Sequence, residues 1–206
     1  MIVAGRKGYL LVEGHGEVEA AQNLITRLSH DIGIYDIPWS KPLRWTNLHQ
    51  WQGHKAGGVM AGAEFIRTKP DAGALLILRD EDDQCPKDLA PQIARQLRTL
   101  QLPFPTAYVL LHPEYEVLFL PCLERMGFPH WDRASWEARR GIKEWLSGKL
   151  PKGRSYKPTV QQFALTRQLD FSMLRAADVP CFGSLERGLL FLSAHRNQSG
   201  KVYPAA

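Results

Sequence analysis

Five carboxylates stand where they could act together. Glu13 follows the apolar run Tyr9-Leu10-Leu11-Val12, Asp80 and Asp82 follow the stretch Ala72 to Leu78, and Glu114 and Glu116 follow Thr106 to Leu111. Hard cations such as Mg²⁺ or Mn²⁺ take oxygen ligands, usually one or two carboxylates with waters and substrate phosphate. Such an ion neutralises a phosphodiester and activates the attacking oxygen. Crowding carboxylates without a cation is costly, because like charges repel and must take up protons. The plain alternative is that Asp and Glu cap exposed amides at strand ends and in the first turns of helices. A D-x-D after an apolar strand also suits phosphatases and nucleotidyl or sugar-nucleotide transferases acting on small substrates. Here it stands behind a strand–helix unit that already ends in an acidic motif, so the pairing of the two is the informative feature.

For these groups to meet, the segments that carry them must be neighbouring strands. Gly8 to Val12 reads as a short buried strand and Gly14-His15-Gly16 as a turn, after which Val18, Ala21, Leu24, Ile25 and Leu28 recur at helical spacing. Ile34 to Trp39 predicts a second strand ended by Pro38 and Pro42, and residues 46–58 a glycine-rich loop. Val59 to Thr68 predicts a short helix, and Ala72 to Leu78 the clearest strand of the chain. Asp88 is the expected cap of a helix running to about Leu100, and Thr106 to Leu111 a strand closed by His112-Pro113. Alternating strands and helices build βαβ units and a mostly parallel sheet, whose ligand crevice lies at the carboxyl ends of the strands. Beyond residue 122 the pattern turns irregular and partly helical, with Leu185 to Leu192 as a last apolar helix and a frayed tail after Asn197. The expectation is an α/β core over residues 1–122, with a mainly helical, basic extension over 123–206 packed on it.

The bulk composition permits this. A chain of 206 residues, 44% hydrophobic, with six tryptophans and eight phenylalanines, has the apolar mass for a core. Its net charge of +5 allows a polyanionic partner without requiring one. Cys85, Cys122 and Cys181 are scattered and form no CxxC pair, which argues against a disulfide framework or a structural zinc site. No run approaches the ~18 apolar residues of a membrane span. The expectation is a cytoplasmic protein with no membrane attachment.

Leu11-Val12-Glu13-Gly14-His15-Gly16-Glu17 and Leu76-Ile77-Leu78-Arg79-Asp80-Glu81-Asp82-Asp83 together resemble the Toprim fold, marked by a glutamate after one strand and D-x-D after a later one. The E-G-x-x-E form resembles the branch found in OLD-family nucleases, and the chain is most similar to the Toprim-like DUF4276 family. Pro113-Glu114-Tyr115-Glu116-Val117-Leu118-Phe119-Leu120 resembles that family's E-x-E-x-W-x-L segment, with Phe119 where tryptophan is common. Tyr156-Lys157-Pro158 and Ser184-Leu185 resemble its C-terminal region. The resemblance implies a Mg²⁺- or Mn²⁺-dependent nuclease or nickase. It implies that Asp80 and Asp82 hold metal, that Glu13 acts as general base or ligand, and that Glu17 is the second glutamate of the motif. Asp83 or Glu116 would complete a second metal. It also implies an ABC- or AAA-type ATPase partner in a phage-defence or toxin-like system, and it is compatible with a homo-oligomer. A non-catalytic regulatory subunit of the same build is the competing expectation.

A nuclease needs positive charge to admit DNA or RNA past its carboxylates. Lys55 in the loop His54-Lys55-Ala56-Gly57-Gly58 and the basic residues Arg139, Arg140, Lys143, Lys152, Arg154 and Lys157 are the candidates. Trp136, Trp145 and Tyr156 are interleaved with them as prospective stacking surfaces. A solvated basic face with core tryptophans would give the same pattern. His15 and Arg79 are further candidate phosphate contacts, and Gly14 and Gly16 are expected to let the chain turn tightly beside a substrate.

Overall fold

The apolar runs of the sequence become the middle of a five-stranded, all-parallel sheet in the computed structural model, which describes residues 6–81, 84–131 and 141–205. Asp82, Asp83, Trp136, Arg139 and Arg140 lie outside the described residues. In chain order the elements are β1 (Lys7–Val12), α1 (Glu17–Asp31), β2 (Leu43–Arg44), α2 (Val59–Arg67), β3 (Ala72–Asp80), α3 (Pro86–Thr99) and β4 (Thr106–Leu111). A stretch of 3-10 turns over Tyr115–Cys122 follows, then α4 (Ile142–Lys149), α5 (Phe163–Thr166), α6 (Phe171–Ala176), α7 (Pro180–Ala194) and β5 (Val202–Tyr203). The strand order is β2-β1-β3-β4-β5.

Both faces of the sheet are covered, and this is why its central strands read as unbroken apolar runs rather than alternating ones. Leu10, Val12, Ala74, Leu76, Leu78, Val109 and Leu111 pack on one side with α1 and α7. Leu11, Leu75, Ile77, Tyr108 and Leu110 pack on the other with α2 and α3. The registers Leu11↔Ile77 and Asp80↔Leu111 keep the carboxyl ends of β1, β3 and β4 level. The segments carrying Glu13, Asp80 and Glu114 therefore leave the sheet side by side. The α/β class with a parallel sheet between helices is as expected of a Toprim-like sheet.

Three local expectations need correction. Ile34 to Trp39 is not a strand: only Trp39 forms a bridge, to Gly8, and the paired segment is Leu43–Arg44. Pro38 and Pro42 have no N–H to donate to a ladder, so the chain beside β1 is broken into pieces. Helix α3 starts at Pro86, not after Asp88, because proline suits the first helical position and leaves Cys85 as the cap residue. The tail after Asn197 is not frayed. Val202 pairs with Thr106 and Tyr203 with Ala107, so the end of the chain supplies the fifth strand.

The C-terminal portion is joined to the sheet through the core. Leu185, Leu189 and Leu192 of α7 belong to the same buried cluster as β3 and β4. Arg27 of α1 donates to the carbonyls of Thr166, Arg167 and Leu169, at 2.9, 3.1 and 2.7 Å, which ties the end of α5 to α1. No helix among the described residues is long and apolar enough to cross a membrane.

Candidate functional site

Glu13 leaves β1 half-buried, and Glu17 opens α1 four residues later. One oxygen of the Glu17 carboxylate accepts the N–H groups of Glu13 and Gly14 at 3.2 and 3.1 Å, folding the helix entry back on the strand end. Burial raises the Glu17 pKa against the opposing pull of those amides and of Lys143, while Glu13 pushes it the same way as burial. Glu13 itself has His49 Nδ1 3.4 Å from one oxygen and Arg79 Nε 3.8 Å from the other. The Arg79 guanidinium is almost wholly buried and pairs with Glu81 at 2.9 Å, so it is committed within the protein rather than held out to a phosphate.

Asp80 ends β3, and the 3-10 turns after β4 bring Glu114 and Glu116 next to it. The group at their centre is Lys143, from the first turn of α4. Its ammonium lies 3.4 Å from Asp80, 3.0 Å from Glu114 and 3.4 Å from Glu116. Burial works against its charge, but Glu116, Asp80 and Glu114 outweigh that and hold its pKa above the ordinary lysine value. Glu114 also accepts the N–H groups of Ile142 and Lys143 at 2.8 and 3.3 Å, capping α4 from outside the helix. Glu116 has no exposed surface. One of its oxygens accepts the Tyr156 hydroxyl at 2.7 Å and the Gln162 amide at 3.2 Å, and the other has no hydrogen bond. Burial pushes the Glu116 pKa up to about 7, despite the Lys143 charge and the Tyr156 hydroxyl.

The expected residues thus fall into groups. Glu13, Glu17, Asp80 and Glu116 stand at neighbouring strand ends, and Asp82 and Asp83 lie outside the described residues. Lys143, expected on a nucleic-acid face, is instead in the carboxylate cluster. Lys55, Lys152, Arg154 and Lys157 are exposed, as is His15. Tyr156 is buried against Glu116, and Trp145 packs edge-on against Trp131 at 4.7 Å, so neither offers a stacking platform. Gly16 has an ordinary helical φ of −67°, and what requires glycine there is the Pro158 backbone, whose carbonyl carbon would lie 2.6 Å from an added Cβ. His49 and Gln162 were not anticipated. His49 has no local signal, because its partner is 36 residues away, and Gln162 is a polar residue buried only by the tertiary fold.

Chemically, the donors at the strand ends are oxygens, and one buried Glu116 oxygen lacks a hydrogen bond, which suits a hard cation. Among the described residues no three His, Cys, Asp or Glu side chains are gathered so as to hold a metal ion among themselves. Asp80, Glu114 and Glu116 are arranged around the Lys143 ammonium. No family model, curated protein or solved structure matches the chain.

Proposed function

We propose that this chain is a divalent-metal-dependent phosphodiesterase, a nuclease or nickase acting on DNA or RNA, of the Toprim-like kind that its E-G-x-x-E and D-x-D motifs resemble. The observation that supports it is the convergence of Glu13, Glu17, Asp80, Glu114 and Glu116 at the carboxyl ends of three adjacent parallel strands. Asp80 and Asp82 would hold Mg²⁺ or Mn²⁺, with Glu116 and Asp83 as supporting ligands. Bound there, the ion would neutralise the phosphodiester and activate the attacking oxygen. Glu13 would take a proton or join the ligands, with His49 at 3.4 Å to orient it. Glu17 keeps that turn in shape through its two amide contacts. Exposed Lys55, Lys152, Arg154 and Lys157 would hold the polyanion by charge. An ABC- or AAA-type ATPase partner belongs to the same reading by resemblance alone, and a pull-down from the native host tests it.

The deciding experiment is cleavage of supercoiled plasmid, single-stranded DNA and tRNA with Mg²⁺ or Mn²⁺, beside Asp80→Ala. Wild-type cleavage that disappears with chelator and falls by roughly 10²-fold or more in a folded Asp80→Ala variant is expected. Full activity in that variant refutes the assignment. The competing reading, a non-catalytic nucleic-acid-binding or regulatory subunit, is favoured by one observation: Lys143 already neutralises Asp80, Glu114 and Glu116. Calorimetric titration separates the two, because a chain that binds no Mn²⁺ at millimolar concentration fits the second.

A further inference from the structure

We infer that Lys143 is a displaceable internal counterion, competing with a divalent cation for Asp80, Glu114 and Glu116, so that metal binding is coupled to release of helix α4. This rests on the metal-dependent reading above and adds a gate to the same site.

The first support is geometric. One ammonium within 3.0 to 3.4 Å of three carboxylates from two strand ends occupies the place where their charges converge. With the ammonium between them the three carboxylates do not close on a metal site, and a divalent cation drawing the same oxygens together would lie a few ångström from it, where two cations repel strongly in a partly buried setting. The two are therefore mutually exclusive occupants. Lysine suits an occupant that leaves: its charge sits at the tip of a flexible four-carbon stem, and one third of the side chain is open to solvent.

The second support is the buried Glu116 oxygen. It has no exposed surface and no hydrogen bond, with the Lys143 ammonium 3.4 Å away. The opposite oxygen of the same carboxylate is fully engaged by Tyr156 and Gln162. A fixed carboxylate with one satisfied edge and one edge turned to an exchangeable cation is already oriented for a ligand.

The third support concerns the helix. Glu114 caps α4 through the amides of Ile142 and Lys143 while it also pairs with the Lys143 side chain. Drawing Glu114 onto a metal would take away the helix cap and the counterion together. The Ser147 hydroxyl, one turn on, donates to the Lys143 carbonyl and accepts the Tyr156 amide at 2.9 Å. Release of the lysine thus loosens the segment from Ile142 to Tyr156, which carries the already exposed Lys152 and Arg154 and leads into exposed Lys157.

The test uses the full chain with Mg²⁺ and Mn²⁺ as probes. Acylation of lysines by an amine-reactive ester, read by mass spectrometry, should rise about 5-fold or more at Lys143 on adding Mg²⁺, and stay level at Lys152 and Lys157. By calorimetry, Lys143→Met should bind Mn²⁺ about 10-fold more tightly than wild type, whereas Lys143→Arg, which keeps the charge, should not. Equal Mn²⁺ affinity in wild type and Lys143→Met, with Lys143 acylation unmoved by bound Mg²⁺, overturns the gate and leaves the metal reading intact. A gain in Lys143→Arg as large as in Lys143→Met also overturns it, because charge would not be the cause. No Mn²⁺ binding by any form removes the metal reading, and the gate with it. If Lys143→Met does not fold, wild-type acylation decides alone.

Discussion

Burying a carboxylate costs free energy unless cations or donors surround it, and Glu116 carries that cost most visibly. Its pKa is pushed up to about 7 from an ordinary 4.5, chiefly by burial. Between those two values the folded protein holds a proton there that the unfolded chain has released, so stability falls as pH rises through the window. The contribution is complete below 4.5 and gone above about 7. Burial raises Glu17 in the same direction, so both residues act with one sign. Glu116→Gln retains an acceptor for the Tyr156 hydroxyl and cannot titrate. Urea unfolding across the window should show wild type losing roughly 1–3 kcal/mol toward neutrality, with a visibly flatter slope in the variant. A slope unchanged by the substitution would assign the pH dependence to other groups.

At the scale of elements, two glycines pull in opposite directions. Gly16 begins α1 where the Pro158 backbone passes against it, with its carbonyl carbon and oxygen 2.6 and 2.8 Å from the position of an added Cβ. Backbone atoms cannot swing aside as a side-chain tip can, so Gly16→Ala should cost about 1–3 kcal/mol, the usual price of overpacking. Gly148 lies inside α4 with nothing within 4 Å of an added Cβ. Gly148→Ala should therefore stabilise by roughly 0.5–1 kcal/mol, because alanine loses less backbone freedom on entering a helix. Denaturant midpoints of the two variants check both signs. The contrast also separates the tight seam between α1 and the segment starting at Pro158 from the open face of α4.

Over the whole molecule, the sheet closes only when the chain returns. Val202 is buried against β4, Tyr203 packs on Phe191 of α7, and Arg98 of α3 donates to the carbonyls of Val202 and Pro204 at 3.2 and 2.7 Å. Removing residues 201–206 would uncover the edge of β4 and strand the Arg98 guanidinium. Loss of one buried valine, one aromatic contact and two charge-assisted hydrogen bonds should lower stability by about 2–4 kcal/mol. A truncated chain with the unfolding midpoint of the full one would mean that β5 adds little to the fold.

Local pattern was sufficient wherever a segment is buried on both faces or along one face. β4 runs from Thr106 to Leu111 as its apolar run indicates, and β3 extends the run Ala72 to Leu78 by two residues. The spacing of Leu24, Ile25 and Leu28 marked α1 because those residues line one buried face. The carboxylates could be placed near strand ends for the same reason, since an apolar run gives out close to the edge of the sheet, although β3 itself runs on through buried Arg79 to Asp80. β5 escaped this logic: two residues have no period, and Val202–Tyr203 becomes a strand only because β4 offers an open edge. Lys143 escaped it too. In sequence it is one basic residue among many, and nothing local distinguishes a solvated lysine from one whose carboxylate partners lie 27 to 63 residues earlier. Its place depends on how α4 is capped and strapped to the strand ends, and charge at a distance in sequence acts only once the fold has made it near in space.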